Sequence, residues 1–372
     1  MRCIPCVLMR GGSSKGLFFL AQDLPTATDE RDRLLLAAMG SPDLRQIDGM
    51  GGGDSQSSKV VIVQASARED VDVEHLFAQV SVARNFVDYL PNSGNMLAAV
   101  APFAIEQGII PASSPESCVR VLNLNSGKIV EVTLSTPQGK VNHEGDCRLD
   151  GVPGSFAPLQ LRFLDPAGTR TGVLLPTGKA RDIICGVEVT CIDCAIPLAI
   201  VEAESLGKTG HESKEELDAD IEFSSNLKRI RLEAARLMRL EDSASIALPK
   251  VAIVASPRHG GSIAARYFSP TWCHATFAIS GALGLAAACH VTDSVAEACV
   301  ELDVKHYDRI VVEHPGGSMQ CHVDVTDHTP GNMPLVASGS VVTTARPLLS
   351  GVVVIPERHT IPETAFTVSP QN

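Results

Sequence analysis

Apolar positions follow two patterns along this chain: short runs that alternate with polar residues, and two long runs that are apolar on nearly every side. The alternating runs predict β-strands, as at 119–124 and 128–134, and the Asn-Ser-Gly turn between these two predicts a hairpin. The long runs predict helices at 96–107 and 277–289, and mixed patterns predict two more at 30–39 and 227–240. A helix without a polar face must be enclosed by its own domain. The pattern therefore predicts an α+β fold, with antiparallel or mixed sheets wrapped around two central helices.

The two halves of the sequence resemble each other weakly. The segment SKVVIV at 58–63 is echoed by PKVAIV at 249–254. Each echo is followed by a polar turn that opens one of the apolar helices, at 92–95 in the first half and at 272–276 in the second. Two units that arise from one duplication are expected to face each other across a cleft. We therefore predict one half at 1–180, completed by strands within 340–372, and a second half at 181–339.

Composition and charge exclude several classes of function. Of the 372 residues, 44% are apolar and 20% are charged, which permits buried cores. The net charge of −12 argues against a protein that binds nucleic acid or anionic membranes, and 4% of aromatic residues is too few for base stacking. The amino terminus shows no secretory signal, and the longest apolar stretch, at 275–289, is shorter than the ~20 residues that cross a bilayer. We expect a cytoplasmic protein.

The cysteines offer a metal or redox alternative. There are eleven, an odd number that suits reduced thiols better than a disulfide framework. Two Cys-x-x-Cys pairs, Cys3 with Cys6 and Cys191 with Cys194, are the spacing of a zinc site or a redox pair. Both pairs lie in segments that alternate like strands rather than at turns. We therefore predict no metal site.

Three stretches rich in glycine and serine are candidate anion sites, at 10–16, 48–59 and 91–96. Such stretches expose backbone N–H groups, and a nearby lysine or arginine adds positive charge. Phosphate or carboxylate is the expected ligand of such a site. No nucleotide-binding motif is present, because the glycines at 49–53 precede a strand and not a helix. Simple tight turns are the alternative.

Four polar residues each allow two interpretations. Ser93 opens an apolar helix, so it is either a helix cap or a catalytic group. Lys59 begins an apolar strand, where partial burial lowers the pKa of an amine towards use as a base, although a solvated strand end is the alternative. His274 and His314 are candidate bases or structural hydrogen-bonding groups. No Gly-x-Ser-x-Gly motif between a strand and a helix supports a serine hydrolase.

The chain resembles the PrpF family of 1,3-allylic isomerases over nearly its whole length. The segments that carry the resemblance are IPCVLMRGGSSKG at 4–16, MGSPD at 39–43, QIDGMGG at 46–52, SKV at 58–60, NSGNM at 92–96 and EHPG at 313–316. The family includes methylaconitate isomerases, aconitate Δ-isomerases and 4-oxalomesaconate tautomerases, and segments 45–50 and 150–154 look most like the last of these. The resemblance implies a diaminopimelate-epimerase-like fold, in which two pseudo-symmetric β-rich halves each surround a central helix.

The resemblance also implies a proton shift without a cofactor, beside a carboxylate of an unsaturated di- or tricarboxylate. Lys59 matches the general base proposed in the family, and Ser93 stands at the position of a second proton-transfer group. The substrate is expected to bind to Ser13, Ser14, Lys15, Asn92, Gly94, Asn95, Met96, Arg266, His274, His314 and Ser318.

Ser93 departs from the family, in which this position is cysteine. An introduced Cys→Ser replacement, a natural variant that relies on Lys59 alone, and a homologue with another substrate would each explain the serine. A racemase or epimerase of the same fold is the alternative enzyme, but its two-thiol mechanism needs a thiol from each half, and only Cys273 lies near the second helix start. A carboxylate-binding protein without turnover is the remaining alternative. A homodimer is a further expectation.

Overall fold

A computed structural model describes residues 1–240, 248–302, 306–326 and 335–356, which form a large mixed sheet and seven helices. The strands are β1 (Arg2–Gly11), β2 (Ser14–Leu20), β3 (Lys59–Ala65), β4 (Val73–Val80), β5 (Val87–Asp88), β6 (Glu116–Asn123), β7 (Lys128–Ser135), β8 (Leu159–Leu164), β9 (Asp182–Ile184), β10 (Val187–Cys194), β11 (Ile196–Glu202), β12 (Lys250–Ala255), β13 (Ile263–Phe268), β14 (Arg309–His314), β15 (Gly317–Val325), β16 (Val336–Thr343) and β17 (Ala345–Ile355). The helices are α1 (Thr28–Met39), α2 (Gly94–Leu97), α3 (Val100–Glu106), α4 (Lys214–Ala219), α5 (Ile221–Leu237), α6 (Ile279–Ala288) and α7 (Val295–Cys299).

Strand pairing shows the predicted duplication directly. In order of pairing, β1, β2, β3, β4, β6, β7 and β8 are joined antiparallel, parallel, antiparallel, parallel, antiparallel and antiparallel. The strands from β10 to β16 repeat these six pairings in the same order. The last strands of the two series, β8 and β16, pair with each other and so join the halves. The predicted 119–134 hairpin is confirmed as β6 and β7.

The carboxyl-terminal strand returns to the beginning of the chain. Antiparallel pairing places β17 along the whole of β1, with Arg2 opposite Ile355 and Gly11 opposite Ala345. Part of the predicted return segment, 357–372, lies outside the described residues. The division into 1–180 with 340–372 and 181–339 stays a prediction.

The two central helices are buried as predicted, but the first is interrupted. All ten residues of α6 are buried. In the first half, the helix predicted at 96–107 is two helices, α2 and α3, which meet at Ala98 and Ala99. Pro102 explains the break, because its ring lacks an N–H and crowds the carbonyl group four residues earlier, that of Ala98. Both central helices lie in one shared hydrophobic core.

An outer helix covers the opposite face of the sheet in each half. In the first half, α1 confirms the helix predicted at 30–39 and packs its buried residues in a second core with β1, β2 and β3. In the second half, α5 occupies the equivalent place in a third core, and it begins six residues before the predicted 227–240 because Asp220 caps it. No helix in the described residues is long and apolar enough to cross a membrane.

The cysteine pairs lie within strands, as the alternating pattern predicted. Cys3 and Cys6 belong to β1, and Cys191 and Cys194 belong to β10. Residues three apart on a strand point to opposite faces, so neither pair converges. All eleven cysteines are free thiols. In the described ranges, no group of three or more His, Cys, Asp or Glu side chains is arranged to hold a metal ion.

Candidate active site

The amino-terminal ends of the two central helices meet between the halves. A β-carbon on Gly94 would lie 2.9 Å from the Ile279 side chain and 3.2 Å from the backbone nitrogen of Ser280. The first turns of α2 and α6 are therefore in direct contact, and no side chain fits between them at Gly94. Two cavities lie beside this contact, and each is lined by residues of both halves.

The smaller cavity, of about 40 Å³, contains two lysines, and we call it the lysine cavity. It is lined by Ser14, Ser55, Gln56, Lys59, Gln79, Pro91, Asn92, Ser93, Gly94, Asn95, Lys250, Tyr267, Ser269, His274, Ala278 and Ser280. None of these described lining residues is an aspartate or glutamate, although the chain has 43 of them. The cavity is thus a local positive site in an acidic protein, which suits an anionic ligand.

The larger cavity, of about 430 Å³, adjoins the lysine cavity, and Asn95 lines both. Besides Asn95, it contains three residues expected to bind substrate, Ser13, His314 and Ser318. The Thr276 hydroxyl donates a hydrogen bond of 2.8 Å to Ser13 Oγ and so links the two halves where the cavities adjoin. A substrate longer than the lysine cavity therefore has adjoining space in which its far end fits.

Lys59 lies inside the site, at the start of β3. Its amine donates a hydrogen bond of 2.9 Å to Gln79 Oε1, directly opposite on β4, and lies 5.0 Å from the centre of the Phe77 ring. Burial lowers the pKa of Lys59 from its ordinary 10.5 to about 8. A lysine with this pKa has a substantial neutral fraction near physiological pH, as a general base requires.

Lys250, at the start of β12, is a second lysine of the site that sequence reasoning missed. It is buried, and its amine donates a hydrogen bond of 2.7 Å to Ser269 Oγ. Burial, followed by the charge of Lys59, lowers the pKa of Lys250 to about 7. The echo of SKVVIV by PKVAIV was the signal that could have found it, because the two lysines stand at the same place in the repeat.

The turn before α2 faces the lysine cavity and also caps the helix. Ser93 Oγ accepts a hydrogen bond of 3.4 Å from the Met96 N–H, so the serine is the helix cap and lines the cavity as well. Asn92 donates to the Ala195 carbonyl at 2.6 Å, and Asn95 donates to Ser13 Oγ at 3.2 Å.

The side-chain oxygens of Asn92 and Asn95 are buried and have no hydrogen-bond partner in the described part of the chain. A buried amide oxygen without a partner is costly. These two oxygens are therefore ready acceptors for a ligand hydroxyl or an ammonium group.

The two candidate histidines are buried and neutral. His274 lines the lysine cavity, and burial lowers its pKa to about 3. The Thr276 N–H donates to His274 Nδ1 at 3.2 Å, which places the ring proton on Nε2, and Nε2 lies 3.0 Å from the side-chain amide of Gln56, so both ring nitrogens already have partners. Burial also lowers the pKa of His314 to about 4. Neutral imidazoles with such low pKa values donate hydrogen bonds but are poor bases.

Three residues expected to bind substrate line neither cavity. In β2, Ser14 faces the lysine cavity, and the next residue, Lys15, points to the other face of the sheet. Tyr267 faces the cavity from β13, so its neighbour Arg266 points away, and the Arg266 Nε donates to the Glu212 carbonyl at 2.6 Å. Met96 is fully buried in the core. Their expected contact with substrate is not supported by these positions.

Lys250→Met is expected to stabilise the fold, and to do so more at about pH 6.5 than at about pH 9. The pKa of Lys250 is about 7 in the folded protein and 10.5 ordinarily. Between these values the unfolded chain holds a proton that the folded chain lacks, so the stability of the parent protein rises with pH, by up to about 1.4 kcal/mol per pH unit. The methionine variant lacks this contribution. Unfolding midpoints in guanidinium chloride measure both proteins at both pH values.

Comparison of the two proteins cancels the contribution of the buried thiols, which both contain. Lys228→Met is the matched control, because Lys228 is exposed on α5. An equal gain in stability at both pH values would show that Lys250 keeps its ordinary pKa in the folded protein.

Solved structures of similar proteins have the same fold as this chain. The crystal structure of a methylitaconate-delta-isomerase is 32% identical and superposes with a TM-score of 0.75 over 95% of this chain and 96% of the other. A hydroxyproline epimerase from Agrobacterium vitis, 12% identical, has a TM-score of 0.57 over 95% of this chain and 92% of the other. The expected α+β, diaminopimelate-epimerase-like fold is confirmed.

Sequence comparison identifies the family. A relative from Pseudomonas putida, named 4-oxalomesaconate tautomerase, is 46% identical over 352 residues, which are 95% of this chain and 96% of the relative. A family model described as PrpF protein matches residues 1–356, which include both halves and every residue of the lysine cavity. The chain therefore belongs to the PrpF family.

Proposed function

We propose that the protein is an isomerase, a cofactor-independent 1,3-allylic isomerase or tautomerase that moves a proton in an unsaturated di- or tricarboxylate, 4-oxalomesaconate-like or aconitate-like. The observation that carries this proposal is the lysine cavity, which combines two amines of lowered pKa with a lining free of described acidic residues. The names of the two similar isomerases, for oxalomesaconate and methylitaconate, support this substrate class.

The chemistry requires a base and a stabilised carbanion. A proton next to a carboxylate, or conjugated to one, is a weak acid, so the dienolate that forms must be held by preorganised donors. Lys59 in its neutral form takes the proton, and the hydroxyl of Ser14 donates to a carboxylate oxygen, while His274 and Gln56, which are in hydrogen-bond contact with each other, line the cavity beside it. Asn92, Gly94 and Asn95 line the same wall of the cavity, where the side-chain oxygens of the two asparagines accept from a substrate hydroxyl or a lysine ammonium.

The larger cavity accepts the far end of the substrate. Ser13 and Ser318 supply hydroxyl groups there, and His314 supplies a neutral ring. Asp150 already accepts hydrogen bonds from the backbone N–H and the hydroxyl of Ser318. The Ser318 hydroxyl proton is therefore already engaged and Asp150 adds negative charge to the cavity, so the arrangement fits a keto group at the end of a longer acid better than a further carboxylate.

The racemase alternative finds no support in the site. A two-thiol mechanism needs a thiol in each half, but position 93 is serine and Cys273 lines neither cavity. Burial raises the pKa of Cys273 to about 12, which leaves the thiol unreactive at neutral pH. A cytoplasmic location and a homodimer remain proposals.

Exchange of solvent deuterium into the ligand tests the function. The panel is 4-oxalomesaconate, 2-methylaconitate, cis- and trans-aconitate, and itaconate-type acids, followed by NMR in D₂O. At least one acid is expected to exchange its allylic protons and to form its double-bond isomer. A saturated tricarboxylate serves as the control, because it has no allylic proton. Binding of these acids without any exchange would instead indicate a carboxylate-binding protein without turnover.

A further inference from the structure

Lys250 holds in the second half the position that Lys59 holds in the first. Each is the first residue of its strand, and β3 and β12 are equivalent in the repeated pairing, with one parallel and one antiparallel neighbour. Each amine donates to a neutral acceptor from the antiparallel side: Gln79 on β4 at 2.9 Å, and Ser269, directly after β13, at 2.7 Å. The duplication has therefore built two equivalent lysines, one in each wall of the cavity.

The two amines share a single cavity, and each charge opposes the other. The charge of Lys59 lowers the pKa of Lys250, in addition to the effect of burial. The other charged or titratable groups that act on the two lysines or line their cavity are Asp54, Asp88, Arg231, Tyr267 and His274. Two ammonium groups in one buried site repel each other, so the first proton bound disfavours the second. Near neutral pH the pair therefore tends to hold one proton, which makes one amine a base and the other an acid.

We propose that Lys59 and Lys250 form an acid–base pair across the cleft, and that Lys250 rather than Ser93 transfers the second proton of the isomerisation. This inference rests on the proposed function. The neutral amine removes a proton from the saturated allylic carbon; that C–H bond breaks, and its electron pair is delocalised into the conjugated carboxylate as a dienolate. The ammonium of the other lysine then protonates the far carbon of the three-carbon unit, and the double bond shifts.

The two lysines together neither gain nor lose a proton during one turnover. One lysine gains a proton and the other loses one, so the total charge of the pair is the same before and after turnover. Exchange of protons with solvent then restores the starting state. The reverse reaction uses the same two groups with their roles exchanged, as an isomerase requires.

Ser93 fits a hydrogen-bonding role instead. Its oxygen accepts the Met96 N–H, which leaves the hydroxyl proton free to bind a carboxylate oxygen of the substrate. A serine hydroxyl is a far weaker acid than an ammonium group, and among the described residues that line the cavity the two lysines are the only charged ones that could activate it. The absence of the family's cysteine at position 93 is then compatible with turnover.

Deuterium exchange in two single variants tests the pair. Each variant, Lys59→Met and Lys250→Met, is incubated in D₂O with either isomer of the acid on which the parent protein is most active. Net isomerisation is expected to fall by about 10²- to 10⁴-fold in both. Each variant is expected to exchange the protons of one isomer only, because it retains one base, and the two variants are expected to exchange opposite isomers.

Lys250→Arg separates proton transfer from a purely structural or electrostatic role. Arginine keeps the positive charge and a donor for Ser269, but its pKa is too high for it to act as a base. The same loss of exchange is therefore expected in Lys250→Arg as in Lys250→Met, with the folded structure retained. Lys228→Met, at an exposed position of the second half, is the matched control and should keep parental rates.

Several results would overturn the pair. If Lys250→Arg isomerised the acid at the parental rate, Lys250 would contribute only its charge. If exchange from the second isomer were lost in Ser93→Ala but not in Lys250→Met, Ser93 would be the second proton-transfer group.

Titration of the ligand-free protein by ¹⁵N NMR of lysine side chains tests the pair independently of substrate. The pKa of Lys59 should rise in Lys250→Met; two lysines that titrate independently would refute the pair. A parent protein inactive on every acid would instead refute the proposed function.

Discussion

Lys59→Met is expected to lower kcat for isomerisation by about three orders of magnitude, within the range that removal of a general base usually produces. Methionine has about the length of the lysine stem but no proton-accepting atom. The side chain lies over Phe77 and reaches Gln79, so an unbranched apolar replacement fills the same space. Initial rates of isomerisation, followed by the absorbance of the conjugated acid, measure the effect.

Substrate binding separates the loss of a base from the loss of a binding site. Lys250, His274 and the 92–95 turn remain in the Lys59→Met variant, so affinity for the acid is expected to weaken far less than kcat falls. Calorimetric titration with the substrate measures this, and Lys228→Met again serves as the control. A variant that isomerises at more than a tenth of the parental rate would show that the base lies elsewhere in the cavity.

The fold was predictable because its main features are repeated and apolar. The all-apolar pattern at 277–289 predicted α6, and the repeat of SKVVIV predicted the equivalence of β3 and β12. The interruption between α2 and α3 was also visible in principle, since Pro102 stands in the predicted helix. Pro102 is the seventh residue of that predicted helix, beyond the first turn in which proline is tolerated, but the apolar pattern continues through it, and α2 begins at Gly94, two residues before the predicted start.

Site residues were predictable where a sequence motif lies at the cavity. They were not predictable where the orientation of a strand decides which side chains face the cavity. Ser93, Gly94 and Asn95, from the pattern at 92–96, line one cavity with Lys59. Arg266 is expected to bind a substrate carboxylate because it is a cation in the strand predicted at 264–268. All six residues of β13 are buried, so no alternation of polar and apolar residues shows which of them face the cleft. Only the packed structure reveals that Tyr267 does, and that Arg266 therefore does not.

Gly94→Ala is expected to lower kcat by on the order of 10²-fold and to destabilise the fold by about 1–3 kcal/mol. The new methyl group would lie 2.9 Å from two carbons of Ile279, whereas carbon atoms in contact are usually about 3.5–4.0 Å apart. The first turns of α2 and α6 must then separate. Because Lys59 and Lys250 belong to different halves, a separation of the halves moves the two amines apart and misaligns both with the substrate.

The matched control is Gly351→Ala, on β17. A β-carbon there would meet only Leu349 Cδ2, at an ordinary 3.7 Å. This control should keep both the parental rate and the parental melting temperature. Comparison of Gly94→Ala with Gly351→Ala therefore distinguishes the effect of the contact between the halves from the general effect of replacing a glycine. Thermal unfolding and initial rates measure both. If Gly94→Ala kept the parental rate while losing stability, the spacing of the helix ends would not set the geometry of proton transfer, and the two lysines would have to be aligned by the sheet alone.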